Sequence, residues 1–122
     1  MAQTLDQQRA QYAWECAKSN AMVDGYREMA KGAPAMIMGN GLMSALAFYQ
    51  SRAGSNQKPA TLILSDILGW LAKRQIVPNS FPVAMKAFFD SGSQDYMRAT
   101  DETLAMLKWL RQFADAVESA GA

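Results

Sequence analysis

Histidine is absent from this chain of 122 residues. That removes the commonest general base, the commonest metal ligand and the usual switch near neutral pH. Cysteine occurs once, at Cys16, which excludes an intramolecular disulfide framework and any cysteine metal cluster. No apolar run approaches the ~20 residues that a membrane-spanning helix needs. The opening MAQTLDQQRA lacks a basic region followed by an apolar core, so no signal peptide is expected. No segment alternates strictly enough to read as a strand. These absences predict a cytoplasmic helical protein with no cofactor, no bound metal and no membrane contact.

Acidic residues are scarce in one place only. Residues 29–89 carry six bases (Lys31, Arg52, Lys58, Lys73, Arg74, Lys86) against Asp66 alone, while the whole chain is +1. The flanks are mildly acidic. A basic middle with acidic borders makes a positive patch if its elements share a surface.

What is present is helical periodicity. Thr4-Leu5-Asp6-Gln7 reads as a capping box, with a hydroxyl at the cap and a Gln three residues on. A first helix over about residues 5–29 follows, its alanines Ala10, Ala13, Ala17 and Ala21 marking one narrow face. Pro34 suits the first turn of a second helix, where its missing N–H costs nothing. That helix runs from Met36 to Gln50, with Leu42, Ala45, Leu46 and Tyr49 as its stripe. Pro59 starts a third, with Leu64, Ile67, Leu68 and Leu71 facing inward. A short helix spans Pro82 to Asp90, and a last one runs from about Gln94 to Glu118. The expected fold is all-α: one domain over residues 1–122, a compact bundle of four long helices plus one short helix.

Candidate chemistry is sparse. Cys16 lacks a histidine partner and sits among alanines, as a small buried thiol does. Asp24 and Glu28 are four apart, but Arg27 and Lys31 beside them make a solvated charged face. Asp66 reads as a helix-surface ion pair or hydrogen bond. Gly39-Asn40-Gly41 looks like a phosphate loop, yet no Lys-Ser/Thr follows it and no strand precedes it. It reads instead as a break between helices, or as glycines within one where a neighbouring backbone comes close. No catalytic residues are expected.

The chain has 9 Met, 3 Trp, 4 Tyr and 5 Phe, more than a small core readily hides. Trp14, Phe48, Phe89, Met106 and Trp109 are therefore candidates for a protein interface.

APAMIMGNGLMSALAFYQSR, Ala33 to Arg52, resembles the signature of the small all-helical Cmr subunit of type III-B CRISPR effector complexes. Pro34, Ile37, Asn40, Gly41, Leu42, Ala45, Leu46, Ala47, Phe48, Tyr49 and Ser51 stand at the matching places. Ala33 stands where Leu is more usual, and Met43 where a small residue is common. The resemblance implies a non-catalytic scaffold that takes part in antiviral defence. Its copies stack into a short filament beside the subunits that carry the crRNA, and line the channel for target RNA. Its partners would be the other Cmr subunits, crRNA and target RNA through the assembly, and further copies of itself, the isolated chain being a monomer. Lys18, Arg27, Lys31, Arg52, Lys58, Lys73 and Arg74 are the matching class of nucleic-acid-binding residues, touching backbone rather than bases. Two other readings stand beside it: a helical protein–protein adaptor with no nucleic-acid role, and a small metalloenzyme using Asp24, Glu28 or Asp66.

Overall fold

The computed structural model describes residues 2–119, in six helices: α1 (Leu5–Asn20), α2 (Tyr26–Asn40), α3 (Leu42–Gly54), α4 (Lys58–Lys73), α5 (Phe81–Asp90) and α6 (Ser93–Ser119). The all-α expectation holds. The expected count of four long helices plus one short does not, and two breaks account for the difference.

The first break falls inside the expected helix over residues 5–29. The chain leaves α1 after Asn20 and re-enters helix at Tyr26, with Gly25 at φ 86°. Left-handed backbone of this kind strains any residue with a side chain. Pro34 therefore lies in the interior of α2, not in a first turn. There it withholds the N–H that would bond the carbonyl four residues back.

The second break is at Gly41, at once the C-cap of α2 and the N-cap of α3. Its backbone sits at φ 88°, ψ 159°, open to glycine and closed to other residues. The Gly41 N–H still bonds the Ile37 carbonyl at 2.7 Å, and the Ala45 N–H bonds the Gly41 carbonyl at 3.1 Å. The bonds on either side of the turn hold, but the ladder is interrupted between them, at the start of α3. Tyr96 of α6 supports the turn, its hydroxyl accepting the Met43 N–H at 2.9 Å. The Asn40 amide turns back onto its own helix, donating to the Met36 carbonyl at 3.2 Å.

The Thr4 capping box forms in full: the Gln7 N–H donates to Thr4 Oγ1 at 3.1 Å, and the Thr4 N–H donates to Gln7 Oε1 at 2.7 Å. Ala13 and Ala17 are fully buried, and these small side chains let α1 lie close along α6. α2 runs antiparallel to α6: Arg27 and Lys31 meet Asp115 at one end, and Tyr96 meets the Gly41 turn at the other. α4 runs antiparallel to α1, with Pro59 against Gly25 and Gly69 against Tyr12. Tyr26, Ile37, Tyr49, Ile63, Trp70 and Leu107 are among the largest fully buried side chains. They belong to one continuous apolar cluster fed by all six helices.

Candidate nucleic-acid and subunit interface

α3 contains no acidic residue, and α4 contains only Asp66. Asp66 is 8% exposed. The Tyr26 hydroxyl donates to its carboxylate at 2.5 Å, and the Asn20 amide donates at 3.3 Å. Cys16 adds a hydrogen bond, and the Tyr12 hydroxyl donates to the Asp66 main-chain carbonyl at 2.7 Å. Burial raises the Asp66 carboxyl above its usual range, while the bonds from Tyr26, Cys16 and Asn20 pull it back. Burial also pushes Tyr12, Cys16 and Tyr26 well above their ordinary values, so all three stay protonated. Of the two expected roles Asp66 takes the hydrogen bond and not the ion pair, and it does so buried, not on the helix surface. The sequence carries a signal for this: Tyr12, Cys16 and Asn20 stand four apart along one row of α1.

With Asp66 hidden, the α3–α4 hairpin shows positive charge and no exposed carboxylate. Arg52 closes α3, its guanidinium 4.8 Å from the centre of the Phe48 ring. The Gln57 N–H bonds the Arg52 carbonyl at 3.1 Å, which holds Arg52 next to the start of α4, where Lys58 stands exposed. Lys73 lies at the far end of α4, also exposed. Among the described residues none of these three forms an ion pair. Lys58 and Lys73 are ~22 Å apart along the helix and about 60° apart around it, so they share a side.

The other four expected nucleic-acid residues are tied to carboxylates. Lys18 lies 3.9 Å from Glu15. Arg27 and Lys31 converge on Asp115, each at 2.9 Å, and clasp α2 to α6. Lys31 and then Arg27 hold the Asp115 carboxyl below its usual range. Arg74 sits 3.8 Å from Glu102. Glu102, 6% exposed, takes two bonds from Arg9 at 2.8 and 3.0 Å and one from the Trp70 indole at 3.2 Å. Arg9 is the main cause of its lowered pKa.

The expected interface residues scatter. Met106 is fully buried and packs in the core. Trp14 and Trp109 are half-buried and flank Phe113, with ring centres 5.3 and 5.6 Å from it, in a seam between α1 and α6. The Trp109 indole donates to Asp6 at 3.1 Å. Phe48 lies under Arg52. Phe89 alone of the five stands clear, 72% exposed.

Among the described residues no group of three or more His, Cys, Asp or Glu side chains is placed to hold a metal ion. Among them, too, no helix is long and apolar enough to cross a membrane.

Comparison with known proteins agrees with this architecture. A protein of Thermus thermophilus named CRISPR system Cmr subunit Cmr5 is 32% identical over 117 residues, spanning 93% of this chain and 96% of that one. The crystal structure of a CRISPR-associated Cmr5 family protein from the same organism superposes with a TM-score of 0.76 at 29% identity, covering 93% of this chain and 97% of the other. The family model for CRISPR-associated proteins of the Cas_Cmr5 type matches residues 5–117, and the chain belongs to that family.

Proposed function

We propose that this chain is the non-catalytic small subunit of a type III-B RNA-guided complex, and that its α3–α4 hairpin contacts the target RNA backbone. The supporting observation is the charge of that hairpin: Arg52, Lys58 and Lys73 exposed, and the one acid, Asp66, buried. Lys58 and Lys73 on one side of α4, ~22 Å apart, with Arg52 next to the start of that helix, match a strand with about one phosphate per 3.4 Å, and supply affinity without base preference. The chain works in the cytoplasm as one domain, beside the other Cmr subunits and further copies of itself. Lys18, Arg27, Lys31 and Arg74 serve the fold first, since each already has a carboxylate neighbour.

The test is binding of labelled single-stranded RNA across a salt series, with the wild type and the triple variant Arg52→Glu, Lys58→Glu, Lys73→Glu. Wild-type binding should weaken steeply with salt. The variant should bind less tightly to every sequence, with a slope shallower by about 0.7 per lost contact. Binding indifferent to salt, or an unchanged variant, overturns the assignment. A protein-only adaptor is favoured in that event, with exposed Phe89 as its first contact.

A further inference from the structure

α4 runs antiparallel to α1, with Gly69 against Tyr12. One turn further along α4 comes Lys73, and one turn back along α1 comes Gln8. The register therefore brings these two together across a groove of about 350 Å³, lined by Gln3, Gln8, Gln11, Tyr12, Glu15 and Lys73. Gln8, Gln11, Tyr12 and Glu15 recur at i, i+3, i+4 and i+7, which is one row of α1. Of the two acids in α1, only Glu15 lies in this row. Asp6 is held elsewhere, by Trp109 of α6 and by Arg9. One wall of the groove is thus amides and a carboxylate, and the other is the exposed Lys73.

The amides orient one another. The Gln3 Nε2 donates to Gln11 Oε1 at 2.7 Å, and the Gln8 Nε2 reaches the Gln3 carbonyl at 3.5 Å. Among the described residues Gln11 Nε2 and Gln8 Oε1 make no hydrogen bond, so the row presents a free donor beside a free acceptor. Glu15 adds acceptor capacity, since Lys18 approaches one of its oxygens only to 3.9 Å. The Tyr12 proton is engaged by the Asp66 main-chain carbonyl, so Tyr12 contributes ring surface and no donor. Such a set suits a neutral hydroxyl. A phosphate is repelled by Glu15 and drawn to Lys73 instead. A ribose 2′-hydroxyl both donates and accepts, and it stands beside a phosphate on the same strand.

We propose that this groove reads the 2′-hydroxyl of the nucleotide whose phosphate rests on Lys73, with Gln11 donating to the hydroxyl and Gln8 and Glu15 accepting from it. The inference rests on the RNA-backbone reading above. It adds a selection that the cations cannot make, since RNA and DNA carry the same phosphates. The contact is to sugar and not to a base edge, so it selects the type of strand and leaves the sequence free.

Binding of a uridine oligomer and of its 2′-deoxyuridine counterpart, each across a salt series, tests this. The two share bases and phosphates and differ in the hydroxyl. The wild type should bind the uridine oligomer about tenfold more tightly, as one hydrogen bond to a charged group gives. With Gln8→Ala, Gln11→Ala and Glu15→Ala together that ratio should fall below about threefold, and the slope against salt, set by the phosphates, should remain. Gln11→Ala alone, at an exposed position, should lower the ratio in the same direction, and it serves if circular dichroism shows the triple variant misfolded. Lys73→Glu should weaken binding of both oligomers alike. Equal binding of the two oligomers by the wild type, or a ratio that survives the alanine variants, overturns the groove and leaves the RNA reading in place. Binding of both oligomers that is indifferent to salt overturns the RNA reading, and this inference with it.

Discussion

The Tyr26 hydroxyl at the start of α2 donates to the Asp66 carboxylate in the middle of α4, across forty residues of sequence. This bond anchors a buried polar node that also takes in Tyr12, Cys16 and Asn20 of α1. It ties together three helices at the place where the chain breaks between α1 and α2. Tyr26→Phe keeps the ring and removes the bond, leaving one carboxylate oxygen short of a partner. The expected loss is roughly 1–3 kcal/mol of stability, read by urea unfolding.

Glu102 and Asp66 should respond to pH in opposite senses. The folded state holds the Glu102 carboxyl below its ordinary 4.5, so its contribution is full above that value and is lost as pH falls through the depressed one. Glu102→Gln should flatten the acid limb of the stability profile and cost roughly 2–4 kcal/mol at neutral pH, because Arg9 loses its buried partner. Asp66 is held above its ordinary 3.8. The fold binds that proton more tightly than the unfolded chain does, so stability is lost as pH rises from 3.8 through the folded value. Asp66→Asn should therefore gain on the wild type across that interval, as measured by denaturant titration at successive pH values.

Gly69 leaves room for the Tyr12 hydroxyl. A Cβ at that position would lie 2.5 Å from it, and Tyr12 is braced against Trp70 with ring centres 5.1 Å apart. Gly69→Ala should displace Tyr12 from the Asp66 carbonyl and cost about 1–3 kcal/mol. Tyr12→Phe in the Gly69→Ala background should recover part of that loss in thermal melts, since the clashing oxygen is gone.

Met106 and Phe89 separate core from surface. Met106→Ala should cost roughly 2–5 kcal/mol by opening a cavity. Phe89→Ala should change stability by no more than about 0.5 kcal/mol while altering solubility or partner binding. Equal effects in a chemical-denaturation series would contradict the burial pattern.

The helical class, the capping box and the ends of α4 and α5 are legible in the sequence because local rules set them: a hydroxyl cap, a Pro at the first turn, periodic apolar positions. The two breaks are not. Proline favours a helix start, but around Pro34 the packing of α2 carries a helix straight through it. Gly25 marks the true break, and nothing local distinguishes it from Gly32, which lies within α2. At the site, basic composition picks out the right segment but cannot sort its members. Ion pairing of Arg27 and Lys31 with Asp115 joins residues more than eighty apart, and only the folded chain brings them together. The row Tyr12, Cys16 and Asn20 marks a polar line on α1, but that Asp66 is what it meets emerges only once α4 packs against it. Met106 fits either face of α6 until packing chooses one.

The support that Tyr96 gives the Gly41 turn bears on shape. A glycine between two helices is ordinarily a place where a molecule flexes. Here the helix ladder is interrupted, and a phenol from a third helix takes up the Met43 N–H that the interruption leaves over. The corner between α2 and α3 is thus an elbow set at one angle, not a joint. A tile with fixed corners repeats with a constant step when copies are laid in a row, and the stacking along an RNA strand proposed above requires that constancy.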